Sequence, residues 1–270
     1  MIRLSVRFPS GRYHATPWDH HVNEGVVEWP PSPWRILRAL TSALHTRAHR
    51  VDKAVAQRAL AKLDRPPSFT LPRATVGHTR HYLSQNALDA RDTSMVFDTF
   101  VALDRGAEVI VHWPCDLAPD ERAALAALAA EVSYLGRAEA WADLRVLDAA
   151  EVVEASNCEP SSGVATPGTT TVRALCPAEG FAVDDLERTT SALQREGWSD
   201  PPGTRYVFYR RDSGAFASPH TYTSPRPARV RPTVAEFALE CGPGAVLPLL
   251  VDAVRVGEQF RRAVMSYYRG

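Results

Sequence analysis

Hydrophobic positions alternate at the start of the chain, with Ile2, Leu4, Val6 and Phe8 apolar and polar residues between them. A period of two predicts a half-buried strand over 2–8. Ser32 with Pro33 beside it is a helix-start signal, Ser as N-cap and Pro at the first helical position. Trp34, Leu37, Leu40, Thr41 and Leu44 then form an inward stripe, while Arg35, Arg38, His45 and His49 recur on another face. A second helix is expected from about Val51 to Leu63, stopped by Pro66-Pro67. Strands are expected over 69–84, 95–103 and 107–113. Pro119-Asp120-Glu121 opens a further helix with Leu125, Leu128, Val132 and Leu135 inward, before a strand over 141–148. This order predicts an α+β fold. It is a ferredoxin-like (RRM-like) βαββαβ domain over 1–150 with one extra strand or hairpin.

Residues 155–180 are rich in Ser, Thr, Pro and Gly and show no periodicity, so 151–182 is expected to be a flexible loop or linker. Over 183–270 the pattern predicts a helix near 184–196, strands near 205–210 and 229–240, and a long helix over about 246–268. The last strand and helix read as the start of a second βα unit.

Composition narrows the setting. No apolar run approaches the roughly 20 residues that cross a bilayer, and the N-terminus reads as a strand instead of a signal peptide. The four cysteines are scattered, without a Cys-x-x-Cys pair, which points to neither a zinc site nor a disulfide framework. A cytoplasmic protein without membrane contact and without a cofactor is expected. The formal net charge of zero is uneven: residues 1–100 carry 14 basic against 8 acidic residues, 101–200 carry 7 against 18, and 201–270 carry 10 against 5. The positive ends suit phosphate and the acidic middle suits solvent or a protein partner.

Candidate chemistry concentrates in one connection, Gly11-Arg12-Tyr13-His14-Ala15-Thr16-Pro17-Trp18, which leaves a strand and leads toward the Ser32-Pro33 helix. Arginine pairs with phosphate, and Tyr and Trp offer faces to unstacked bases. Arg35 and Arg38 stand one helical turn apart, where Arg35 could share a phosphate with the helix N-terminus or pair with Glu28 or Glu24. Arg80 and Tyr82 fall on one strand face, a second pairing of cation and aromatic. His78-x-x-His81 is not expected to hold a metal, because residues three apart on a strand point to opposite faces. Metal-independent RNA cleavage needs a base, a proton donor and a cation at the phosphate; His14 and His81 are the candidates for the acid–base role.

The stretch from Gly11 to Trp18, with His21-Val22-Asn23-Glu24-Gly25 and Glu28-Trp29-Pro30-Pro31-Ser32-Pro33-Trp34-Arg35, resembles a CRISPR-associated family. This is the fused crRNA-handle-binding and crRNA-processing subunit of type I-G (formerly I-U) effector complexes, a RAMP-type Cascade component of antiviral defence. Later blocks resemble it in order: Leu71-Pro72, His78-Thr79-Arg80-His81-Tyr82, Val96-Phe97-Asp98, Trp113-Pro114, Tyr134-Leu135-Gly136-Arg137-Ala138-Glu139, Pro201-Pro202-Gly203-Thr204-Arg205 and Phe260-Arg261-Arg262. Ala140 stands where the family pattern has Ser. The resemblance implies crRNA contacts by Arg12, Tyr13, His14 and Trp18. It also implies the backbone and large subunits as partners, target DNA indirectly, and an endoribonuclease half mostly beyond Gly270. The expected role is therefore gripping the 5′ handle and capping the complex. Repeat-RNA cleavage by this chain, or a protein-docking assembly module, are the alternatives.

Overall fold

The computed structural model describes residues 1–21, 24–46, 51–84, 93–164, 166–215 and 248–267. The chain runs β1 (Ile2–Arg7), β2 (Arg12–Tyr13), α1 (Pro33–Thr46), α2 (Lys53–Ala61), β3 (Ser68–Thr70), β4 (Ala74–Ser84), β5 (Thr93–Leu103) and β6 (Glu108–Trp113). It continues with α3 (Pro119–Glu131), β7 (Asp143–Val146), β8 (Cys158–Ser161), β9 (Thr169–Pro177), α4 (Thr190–Arg195), β10 (Thr204–Asp212) and α5 (Ala253–Tyr267). Two compact units are present, Met1–Tyr222 and Thr223–Gly270.

In the first unit β7-β1-β6-β3 are hydrogen-bonded neighbours, all antiparallel, which is the strand order of a ferredoxin-like sheet. With α1 and α2 between β1 and β3, and α3 between β6 and β7, the βαββαβ expectation holds. The alternation in β1 has its physical partner: Leu4 stands opposite Val111 and Val6 opposite Val109, all fully buried. These residues share one core with Leu37 and Leu40 of α1, Leu60 of α2, and Leu125 and Leu128 of α3.

Three expectations change. Residues 69–84 are not one strand: β3 ends at Thr70 and β4 starts at Ala74, with Pro72, which has no N–H to give a ladder, in the gap. β4 joins β5 and β2 in a separate three-stranded sheet, so the extra hairpin stands apart from the main one. The stretch 151–182, expected to be linker, contains β8 and β9, which with β10 extend the main sheet to seven strands in the order β7-β1-β6-β3-β8-β10-β9. Its Thr169–Thr171 run falls on the half-exposed first part of β9, while Ala174, Leu175 and Cys176 are buried. Finally, the helix expected over 184–196 is a 3-10 turn, Val183–Glu187, followed by α4 with Thr189 as its N-cap.

β8 meets β3 through a single residue pair, Phe69 opposite Cys158. Asn157 widens this join: its side-chain Nδ2 donates to the Leu71 carbonyl at 2.8 Å, and its Oδ1 accepts from the Leu71 N–H at 2.8 Å. In the second unit α5 starts at Ala253, after a 3-10 turn at Leu250–Asp252, later than the expected start near 246, and ends near the expected 268. The strand expected over 229–240, and in the first unit His49, lie outside the described residues. Among the described residues no helix is long and apolar enough to cross a membrane.

Candidate functional site

The segment 11–18 is organised from Gly11, whose φ of 68° lets its N–H close a turn on the Phe8 carbonyl at 2.8 Å. A Cβ there would stand 2.9 Å from the Leu103 carbonyl oxygen, so the bare glycine also permits the approach of β5. β2 pairs with β5, Arg12 opposite Ala102 and Tyr13 opposite Val101. The Arg12 guanidinium lies 3.9 Å from the centre of the Phe100 ring, a cation–π contact within its own sheet.

Tyr13 is 1% exposed, with Phe8 and Trp29 ring centres 4.9 and 6.1 Å away, and its hydroxyl donates to Glu28 at 2.6 Å. Its ring faces are spent on the core. The expected stacking of Tyr13 on a base is therefore corrected: the side chain is a core residue.

His14 is corrected in the same way. Its side chain is 2% exposed, with Nδ1 2.7 Å from Glu139 and Nε2 3.7 Å from Asp98. Arg137 pairs with Asp98 at 2.9 Å, and its backbone N–H donates to the His14 carbonyl at 2.9 Å. Burial lowers the imidazole pKa against the pull of the Glu139 hydrogen bond, favouring the neutral ring. An acid–base catalyst must reach the proton it moves, and this ring presents no surface to a scissile phosphate.

Trp18 stays closer to solvent. Its indole N–H donates to the Ser199 carbonyl at 2.9 Å, and its ring is half-buried.

On α1 the N-cap reading holds. Ser32 accepts at its hydroxyl from the Arg35 N–H at 3.4 Å, and its carbonyl accepts from Ile36 at 3.1 Å. The 5% exposed Glu28 then decides the fate of the first arginine. Arg35 donates from Nε to one Glu28 oxygen at 2.8 Å and from Nη2 to the other at 2.9 Å, with a further bond to the Thr16 carbonyl at 2.8 Å. Glu28 also accepts from Tyr13 and from the Ser32 N–H at 2.8 Å. This bidentate pair raises the Arg35 pKa against the effect of burial. The phosphate role expected for Arg35 is thus replaced by the Glu28 pairing.

Arg38, one turn on, is half-buried and has no hydrogen bond or ion pair among the described residues. Burial, and then the neighbouring Arg35 charge, lower its pKa. It lines a cavity of about 640 Å³ together with Trp18, Ser42, Glu131, Ser133 and Tyr134. Tyr134 is 48% exposed and bridges in antiparallel fashion to Trp141, which is 62% exposed. Gly136 closes the wall with φ 88°; a Cβ there would stand 2.5 Å from the His14 carbonyl oxygen. A half-buried cation without an ion pair among the described residues, hydroxyls and aromatic faces can together receive an anion attached to a planar ring.

The other candidates lie on the hairpin. Arg80 is exposed on β4 opposite Phe97; His81 stands opposite Val96 and Tyr82 opposite Met95. The side chains of His81 and Tyr82 lie outside the described residues. The sequence reading missed the Asp98–Arg137–Glu139 cluster and the cavity position of Tyr134. An acidic residue at 98 inside an apolar strand run was the available signal for the first.

No protein-family model matches this sequence, and no curated protein matches it. Among solved structures the chain is similar to a CRISPR protein from Archaeoglobus fulgidus, with 14% identity over 78% of this chain and 86% of that one. The TM-score is 0.34, too loose a superposition to transfer residues or a role.

Proposed function

We propose that this chain is a crRNA-binding subunit of a type I CRISPR effector complex, holding the 5′ handle of the guide RNA and capping one end of the assembly. The ordered sequence blocks from Gly11 to Arg262 support the family, and the ferredoxin-like sheet is a scaffold on which single-stranded RNA is held elsewhere. The observation that carries the binding reading is Arg38, a half-buried cation without an ion pair among the described residues, in a cavity it shares with Trp18 and Tyr134. The backbone and large subunits would be its protein partners, the cytoplasm its setting, and residues 1–150 the main handle-binding part. His14 gives the nuclease alternative no support, since its ring is buried between Glu139 and Asp98.

The test is binding of a labelled 5′-handle RNA across a salt series in EDTA, for the parent chain and Arg38→Ala. Loss of one phosphate contact should weaken binding about tenfold and reduce the salt slope by about 0.7. Equal affinity and slope in both proteins would remove Arg38 from the interface. Specific cleavage of repeat RNA by this chain would return the nuclease reading.

A further inference from the structure

The cavity beside α1 has the size of a small-molecule pocket, about 640 Å³. A space of this size holds a single nucleotide unit. Its walls differ in chemistry. Among the described residues Arg38 is the cavity cation without an ion pair, since the neighbouring Arg35 is neutralised by both oxygens of Glu28. Trp18 and Tyr134 supply aromatic faces, and Ser42 and Ser133 supply hydroxyls. Glu131 lines the same space, and a carboxylate there repels a phosphate but accepts from an amino group. The charges therefore give an occupant a direction, anion toward Arg38 and amine-bearing edge toward Glu131.

We infer that this cavity is a single-nucleotide site: it takes one ribonucleotide turned out of its stack, with the phosphate on Arg38 and the base against Trp18 and Tyr134. The inference rests on the RNA-binding reading and sharpens it, because it makes the contact a pocket and not a stripe along the sheet. Arg38 has no protein partner to lose among the described residues and Tyr134 is half-exposed, so both can be changed without removing a core contact.

The experiment titrates the full chain with AMP, CMP and GMP, with adenosine and inorganic phosphate separately, and with handle RNA in parallel, following tryptophan fluorescence and heat. At least one mononucleotide should saturate the site and displace handle RNA, with adenosine and phosphate each at least about tenfold weaker. Arg38→Ala should lose about tenfold or more for the mononucleotide, and Tyr134→Ala several-fold, with thermal unfolding confirming that both variants are folded. Phosphate binding as tightly as the mononucleotide would overturn the inference in favour of a bare anion site. Handle RNA bound and weakened by Arg38→Ala, with no mononucleotide bound, would overturn the single-nucleotide site and leave the RNA reading standing. Mononucleotide bound with no handle RNA bound would do the reverse.

Discussion

The segment 12–18 and the cavity wall of α1 lie side by side in the first unit, and both carry arginine and aromatic residues. Their side chains find different partners. In the first, Arg12 rests on Phe100, Tyr13 donates to Glu28, and His14 lies between Glu139 and Asp98. In the second, Arg38 meets neither carboxylate nor carbonyl among the described residues, and Tyr134 keeps half of its surface in water. Side-chain type is the same; Arg12 Nε is itself buried without a hydrogen-bond partner, so the difference lies in Tyr13 and His14, whose polar atoms are paired. A half-buried cation without a partner is costly to the fold by itself, so the α1 wall is where an anionic ligand has something to compensate.

The sharpest way to break this contrast is to turn Arg35 into a second Arg38. Glu28→Ala removes the carboxylate that serves Arg35, Tyr13 and Ser32 together, and should cost about 3–5 kcal/mol in urea unfolding. Adding Arg35→Ala should then cost less than it does alone, a coupling that a double-mutant cycle reads. Next in size is Gly136→Ala, which puts a methyl group 2.5 Å from the His14 carbonyl oxygen at a positive φ. A loss of about 1–3 kcal/mol is expected, and an unchanged unfolding midpoint would mean that the two regions are not locked through this contact. Arg38→Ala should leave the fold as stable or more stable while weakening RNA; destabilisation beyond about 0.5 kcal/mol would show a structural role.

The smallest effect concerns pH. The folded pKa of His14 lies below its unfolded value, so the unfolded chain binds the extra proton first. Its contribution is fully present above about pH 6.5 and is lost as pH falls through the lower, folded pKa. Urea midpoints of the parent should drop more steeply below about pH 6.5 than those of His14→Gln. Parallel curves would place the acid sensitivity elsewhere.

How far such detail could be read beforehand depended on how local it was. Ser32-Pro33 and the α1 stripe were legible because cap and helix are neighbours in sequence, and the alternation of β1 needed only a period of two. β9 was not legible: its Thr169–Thr171 stretch looks like loop, and what makes it a strand is β10, with Thr170 opposite Arg211 and Thr171 opposite Arg210. The candidate site failed for a related reason. Arg35 and Arg38 have the same residue type and neighbouring positions on one helix, and only Glu28, brought alongside by the 24–32 connection, separates their roles. Tyr13 was likewise read by type, although its direction is set by Phe8, Trp29 and Glu28.

The join between β3 and β8 has a consequence for the chemical lifetime of the sheet. The Asn157 carboxamide offers Leu71 a donor and an acceptor in the spacing of a peptide group, standing in for one residue of a strand that is not there. Hydrolysis of that amide to a carboxylate exchanges the donor for an acceptor, leaving two oxygens facing each other where a hydrogen bond had been. Loss of that one functional group thus weakens the seam between the ferredoxin-like strands and the three that extend them.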